Sequence, residues 1–367
     1  MPGRHDVLVN LSSSATAPTV AVYGAYGHTG RFVVAELLAR GFVPVLAGRD
    51  PEKLRAVNTG GRHLDVRPAS TDDPDALDRA LAGADAVINT AGPFAVTAGP
   101  LIEAALRAGI PYVDVAAEIE ANLDTFRLFT DRAGETLVVP AMAFFGGLGD
   151  LLVTAALGDW VTADQAHVAY GLDSWHPTEG TRAAGAVSRE RRNGQRIRYS
   201  GGRLEYHDDA PTTGDWQFPQ PFGTRTLIGE FSMADVVTIP SHLPIPEVRT
   251  SMTVEAARDL SSPDTPAPVA ADPHGRSAQS FVVEVVVSSG SEERRAVAHG
   301  QDIYAVSAPL AVEAVERILT GRTNAVGVAS AGKAFDARDF LRALSPHIEV
   351  DLQFAPRKRL GVTSPVS

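Results

Sequence analysis

Between residues 20 and 145, short β-branched runs alternate with helical runs at a spacing that leaves little choice of fold. "TVAVYG" predicts a strand, "GRFVVAELLARG" a helix and "FVPVLAGR" a second strand. "PEKLRAV" continues as a helix whose first turn carries Pro51 and Glu52, as helix starts prefer. "GRHLDVRP" predicts a third strand, followed by the helix "DDPDALDRALAG" with acids at its N-terminus. A fourth strand, "ADAVINTAGPF", runs into a turn and the helix "AGPLIEAALRAG". A fifth strand, "PYVDVAAE", the helix "IEANLDTFRLFTDRAG" and a sixth strand, "TLVVPAMAF", complete the pattern. Strands and helices alternating in this way predict an α/β chain built on a parallel, doubly wound Rossmann sheet.

After Asp150 the texture changes. "LLVTAALGDWV" reads as one more helix, and "DQAHVAYGL" and "FSMADVVTIPS" read as strands without regular helices between them. "QSFVVEVVVSSG" and "ERRAVAHGQ" predict an antiparallel hairpin turning at "SGSE". The expected organisation is therefore a dinucleotide-binding domain over 18–150 and a mixed α+β domain for substrate and dimerisation over 151–304. C-terminal helices ("APLAVEAVERILTG" and "DARDFLRAL") over 305–355 return toward the first domain, and 356–367 is expected to be a frayed tail. "DLSSPDTPAPVAADPHGRSAQ" is rich in Pro, Ser, Ala and Asp and is expected to be a mobile loop.

Composition removes several function classes. The chain has no cysteine, so disulfides, thiolate zinc sites and cysteine nucleophiles are excluded. A formal net charge of −11 argues against a nucleic-acid surface. The first residues lack a signal-peptide core, and no run reaches the roughly 18 uncharged apolar residues of a membrane span. The expectation is a cytoplasmic protein with no membrane or nucleic-acid partner, acting on a small molecule. No metal-ligand cluster is evident, and "YHDD" at 206–209 reads as an exposed turn.

Gly24, Gly27 and Gly30 stand between a predicted strand and a predicted helix, with Tyr26, His28 and Thr29 among them. Absent side chains let the backbone turn sharply and bring amides close to a pyrophosphate at the helix N-terminus, and the Thr29 hydroxyl adds a donor. The second strand ends at Gly48-Arg49-Asp50, about where a ribose-binding acid would stand. A guanidinium there pairs with the 2′-phosphate of NADP(H); the alternative is that Arg49 is merely solvated and Asp50 turns toward the ribose or caps the next helix. Asp65, read as ending the third strand, is either a partner for the adenine amino group or a solvated acid.

Ligands of open α/β sheets sit beyond the carboxyl ends of the strands. Thr90, Ala91, Gly92 and Pro93 are thereby expected along the cofactor's ribose and nicotinamide. Asp114 and Glu118, after the fifth strand, are candidates for proton donor or substrate clamp, or else for helix caps. Asp150 is expected to cap the helix after "AFFGGLGD". In "DSWHPTEGTRAAGA", Trp175 and His176 suggest a substrate wall and a proton donor. Arg182, Arg189, Arg191 and Arg192 read either as anion contacts or as a solvated helix face.

The set "GAYGHTGR", "LAGRDPEKL", "NTAGPF", "YVDVAAE" and "GQDIYAVSAPLAVEA" resembles the saccharopine dehydrogenase-like NADP-binding oxidoreductases, a group that includes trans-acting enoyl reductases. The likeness is clear over 20–150 and weaker over 295–345. It implies a Rossmann domain, a second α/β domain that closes over the nicotinamide, a homodimer and NADP(H). Position by position it implies the loop Gly24 to Gly30, Arg49 on the 2′-phosphate and Ala91-Gly92-Pro93 near the nicotinamide. His28 departs from the family, as does the missing Pro before Asp150, which argues against saccharopine chemistry itself. Short-chain dehydrogenase chemistry is excluded, because no tyrosine is followed by lysine four residues on. Two functions remain: a reductase passing hydride from NADPH to a C=N, C=C or C=O bond, and a non-catalytic NADP(H)-binding sensor. The size of the second domain, suited to shutting out water, favours the enzyme.

Overall fold

The computed structural model describes residues 17–57 and 59–358. β1 (Thr19–Tyr23), α1 (His28–Ala39), β2 (Val43–Gly48), α2 (Pro51–Arg55), β3 (Asp65–Pro68), α3 (Pro74–Leu81), β4 (Ala86–Asn89), α4 (Phe94–Ala108), β5 (Tyr112–Asp114), α5 (Ile119–Phe129) and β6 (Val138–Val139) follow one another as the alternation requires. Their strands form one parallel sheet in the order β3-β2-β1-β4-β5-β6. The order reverses between β1 and β4, so the sheet has the Rossmann switch point beside the glycine turn. Val20, Ala21 and Val22 are fully buried, as a central strand covered on both faces demands.

A kinked segment, Phe144–Leu148, leads into α6 (Gly149–Leu157) and the second half. There β7 (Gln165–Leu172), α7 (Glu179–Arg191), β8 (Arg196–Ser200), β9 (Arg203–His207), β10 (Thr213–Gln217), β11 (Thr224–Gly229), α8 (Asp235–Thr238), β12 (Glu247–Thr253), α9 (Val254–Ser261), β13 (Ser280–Ser289) and β14 (Glu292–Gln301) precede α10 (Ser307–Leu319), α11 (Ala331–Ala334), α12 (Ala337–Ala343) and β15 (Ile348–Lys358). The second sheet is mixed, in the order β10-β11-β12-β7-β13-β14-β15, with β8 and β9 attached beside β12. The β13–β14 hairpin pairs Ser280 with Gln301 through Ser289 with Glu292, turning where "SGSE" predicts.

The two sheets share one hydrophobic core, which runs from Val22 and Leu37 through Phe144 and Leu151 to Val283 and Val312. α10 packs along α1, where Arg40 reaches Glu313 at 2.5 Å and Glu316 at 3.2 Å. Beyond α10, Val328 forms a parallel bridge to Val138 of β6, so the late chain joins the edge of the first sheet. Among the described residues no helix is long and apolar enough to cross a membrane.

Three local readings need correction. "FSMADVVTIPS" is not a strand: it contains α8, whose four residues are all buried, and a short apolar run cannot separate a buried helix from a strand. The segment after α9 has no regular structure before β13, as a loop would, and is tied at points where Arg182 donates to the Ser262 and Thr265 carbonyls and Asp272 accepts the His274 and Arg276 amides. Asp150 does not cap α6; it lies inside the helix and accepts from His242 and the Gly332 amide, each at 2.7 Å. The last segment is a strand to Lys358 where a frayed tail was expected from 356, and 359–367 lie outside the described residues.

Candidate functional site

At the end of β1 the chain turns at Gly24, whose φ of +86° is a left-handed conformation that suits glycine. A methyl group there would stand 2.9 Å from the Ala91 nitrogen, so the turn lies against the end of β4. Gly27 donates to the Gly24 carbonyl at 2.8 Å and becomes the N-cap of α1. That helix opens with no side-chain cap and no acid in its first turn. Its leading amides, including those near Thr29 and Gly30, are thus left for an anion, with no carboxylate within that turn to compete.

Arg49 lies exposed at the end of β2, and among the described residues no carboxylate pairs with it. Asp50 is engaged elsewhere: its Oδ1 caps α2 by accepting the Glu52 and Lys53 amides at 3.0 and 3.1 Å. Those amides, Lys53 first, hold its carboxyl below the usual range. The Lys53 ammonium sits 5.8 Å from the centre of the Tyr26 ring, which adds a second cation beside Arg49 that the sequence reading passed over. Asp65 is misplaced by the sequence. It begins β3 rather than ending it, at the far side of the sheet from the glycine turn, and pairs with Arg67 at 2.9 Å.

The turn Thr90–Pro93 is fixed from below. Thr90 donates twice to the Tyr23 carbonyl, through its amide at 2.8 Å and its hydroxyl at 3.0 Å. Buried Asn89 accepts the Ala91 amide at 3.0 Å and donates to Tyr112 and Thr97, while Thr97 donates to the Ala91 carbonyl at 2.6 Å. Asp114 closes this network, accepting the Ala116 and Ala141 amides and the Tyr112 hydroxyl at 2.8–3.0 Å. It is 1% exposed, and burial pushes its pKa up to about 6 against the pull of those bonds. Glu118 accepts the Phe94 and Ala95 amides at 3.0 Å each, at the start of α4, and burial raises its pKa also. Both acids therefore hold backbone. Glu118 is thus a helix cap, as the alternative allowed, although the helix capped is the one before it and not the one after, while Asp114 holds loop amides and caps no helix.

In the second half, His176 lines a cavity of about 360 Å³ together with Ser174, Pro266, Pro268, Val269 and Tyr304. Among the described residues His176 makes no hydrogen bond. Trp175 is not an open wall, being 2% exposed, stacked on Phe145 at 5.1 Å and hydrogen-bonded through Nε1 to the Tyr304 hydroxyl at 3.0 Å. Gly275, in the segment roofing this cavity, approaches Phe32 of α1, and His28 at the head of α1 meets the Tyr304 ring edge-on at 5.3 Å. Cofactor turn and cavity are thus neighbours. Arg191 and Arg192 are taken by Asp124 at 2.7 Å and Glu120 at 3.4 Å, which bind α7 to α5 instead of an anionic ligand. Tyr304 has no place among the sequence-stretch assignments; the only signal for it was its position in "GQDIYAVSAPLAVEA".

Residues 20–135 match the model of the saccharopine dehydrogenase NADP binding domain. That stretch, about a third of the chain, is similar to a saccharopine dehydrogenase NADP binding domain. Over 160 residues the chain is 29% identical to a probable mitochondrial saccharopine dehydrogenase-like oxidoreductase of Arabidopsis thaliana, covering 39% of this chain and 35% of that protein. Over 145 residues it is 32% identical to a putative trans-acting enoyl reductase of Mycobacterium tuberculosis, covering 37% of this chain and 34% of that protein. The chain thus matches about a third of the length of these curated relatives. The fold as a whole is similar to apo saccharopine dehydrogenase (L-Glu forming) of Saccharomyces cerevisiae, with a TM-score of 0.62 at 12% identity over 92% of this chain and 100% of that one. That likeness reaches past the matched domain into the mixed sheet.

Proposed function

We propose that this NADP-binding-domain protein is an NADPH-dependent reductase acting on a C=N, C=C or C=O bond of a small molecule. The observation that carries the reading is the uncapped, acid-free start of α1 under the Gly24 turn, with Arg49 unpaired beside it. Those features fit the pyrophosphate and 2′-phosphate of NADPH. Bound there, the nucleotide supplies a hydride. Gly24 to Gly30 bind its phosphates through backbone amides, Arg49 and Lys53 meet the 2′-phosphate, and Thr90 to Pro93 border the nicotinamide side.

The substrate's place is the cavity under the 262–279 segment. Its walls include Pro266, Pro268 and Val269, of which Val269 is 74% exposed, so the cavity opens to solvent, and His176 lines it without a hydrogen bond of its own. The loss of Asp114 and Glu118 to structural bonds is the observation that favours a non-catalytic NADP(H) sensor instead. A cavity beside the cofactor turn favours the reductase.

The test is a titration of purified protein with NADPH and NADH, followed by nicotinamide fluorescence, and then NADPH oxidation against imines, enones, enoyl thioesters and ketones. Tight NADPH binding with turnover of one class supports the reductase. Binding without turnover of any class leaves the sensor, and no binding of either nucleotide overturns both.

A further inference from the structure

We propose that Tyr304 is a positioning residue that transmits occupancy of the cofactor turn to the substrate cavity; this rests on the NADP(H) reading above. Its two ends touch the two sites. The ring lies against His28, the first residue of α1, with centroids 5.3 Å apart and planes at 86°. The other ring against that imidazole is Phe32, at 5.4 Å and 82°. His28 Nε2 is buried with no hydrogen-bond partner, so on that side the ring is held by packing alone. A ligand docking on the amides of the His28 turn acts on the residue that Tyr304 leans on.

The hydroxyl end is more tightly specified. Trp175 Nε1 and the Thr178 amide can only donate, and they reach the Tyr304 oxygen at 3.0 and 3.3 Å. They occupy its acceptor positions, so the phenolic proton goes to Thr181 Oγ1 at 3.0 Å. The Thr181 and Thr178 hydroxyls share a hydrogen bond at 3.0 Å in which either can donate, and Thr178 Oγ1 caps α7 by accepting the Thr181 amide at 3.1 Å. Tyr304 therefore fixes both the start of α7 and the indole of Trp175, which stacks on Phe145 in the kinked segment after β6.

The base of Tyr304 is equally constrained. Asp302, with φ of +62°, accepts the Tyr304 and Ala305 amides through Oδ1 and the Ser277 amide of the cavity lining through Oδ2. Backbone, ring and hydroxyl of one residue thus meet the cavity floor, the cofactor turn and α7. Tyr304 gives up no proton to a substrate in this arrangement, because its proton is committed to Thr181. Its part is placement.

Trp175 reports the coupling. In a Trp160→Phe/Trp216→Phe protein it is the one tryptophan left of three. Its emission is followed during titration with NADP+, which does not absorb where tryptophan emits, and saturation is verified by calorimetry. The expected result is a saturable change in Trp175 emission that is lost when Tyr304→Phe or His28→Ala is added, measured with nucleotide saturating. An undiminished change in Tyr304→Phe overturns the proposal. Should that variant not fold, Thr181→Val decides: a diminished response supports the coupling and an undiminished one overturns it. Absence of binding heat in the parent overturns the NADP(H) reading itself, a different outcome from binding without a Tyr304-dependent signal.

Discussion

Glu118 holds the Phe94 and Ala95 amides, one on each carboxylate oxygen at 3.0 Å, and so anchors the first turn of α4 from the start of α5. The turn it supports is Gly92–Pro93, on the side of the site assigned to the nicotinamide. Removing a side-chain acceptor at a helix start costs about 0.5–2 kcal/mol. Glu118→Ala is expected to lose stability in that range by urea unfolding and to weaken NADPH binding with it. Turnover abolished with unchanged stability would return Glu118 to the list of catalytic acids.

Arg49→Ala tests the cofactor preference directly. Hydrogen bonds to a charged group contribute about 1.5–3 kcal/mol, so the variant is expected to bind NADPH roughly tenfold to a hundredfold more weakly. NADH, which lacks the 2′-phosphate, should be held as before. Lys53→Ala should act in the same direction and less strongly, because Lys53 is exposed and already 3.8 Å from Asp50. Equal losses for both nucleotides in Arg49→Ala would count against the 2′-phosphate assignment.

Gly24→Ala attacks the turn through shape alone. The new methyl meets Ala91 at 2.9 Å, and the left-handed backbone costs an L-residue about 1–2 kcal/mol. The expected outcome is a lower melting temperature and loss of binding for NADPH and NADH alike. Because no charge changes, retention of the NADPH preference at reduced affinity would also fit, whereas full affinity would not.

The residues that were readable in advance are those governed by local pattern. The β–α alternation, the Gly24 turn and the Asp50-Pro51 helix start each follow from neighbours in sequence, and the structure has them where the pattern puts them. Asp65 was misread because strand ends are set by pairing with β2, which begins for β3 at Asp65 itself. Asp114 and Glu118 look catalytic in sequence, since nothing local announces that Ala141 and Phe94 amides, 27 and 24 residues away, will claim them. Tyr304 was invisible for the same reason: its partners Trp175, Thr178, Thr181 and His28 come from two distant stretches. The strands between residues 196 and 229 were missed where edge pairing, not apolar run length, makes them.

Asp235 gives a pH dependence with a definite sign. It is fully buried, accepts the Tyr170 hydroxyl at 2.7 Å, and burial lifts its pKa to about 6, with Asp150 pushing the same way. A carboxyl that titrates higher folded than unfolded binds its proton first in the folded state. Its contribution therefore favours folding as pH falls from about 6 toward the unfolded value of about 4, and that contribution is lost as pH rises through about 6. Asp114 acts in the same sense. His167 opposes both, because burial lowers its pKa to about 4 and acid then favours the unfolded chain. The readout is consequently a difference: unfolding free energy of Asp235→Asn against the parent, measured across this window. The amide keeps an acceptor for Tyr170 and removes the titration. The variant should gain relative to the parent as pH rises from about 4 to 6, by on the order of 2 kcal/mol, and little more above that. Parallel curves would mean that Asp235 does not titrate in this range.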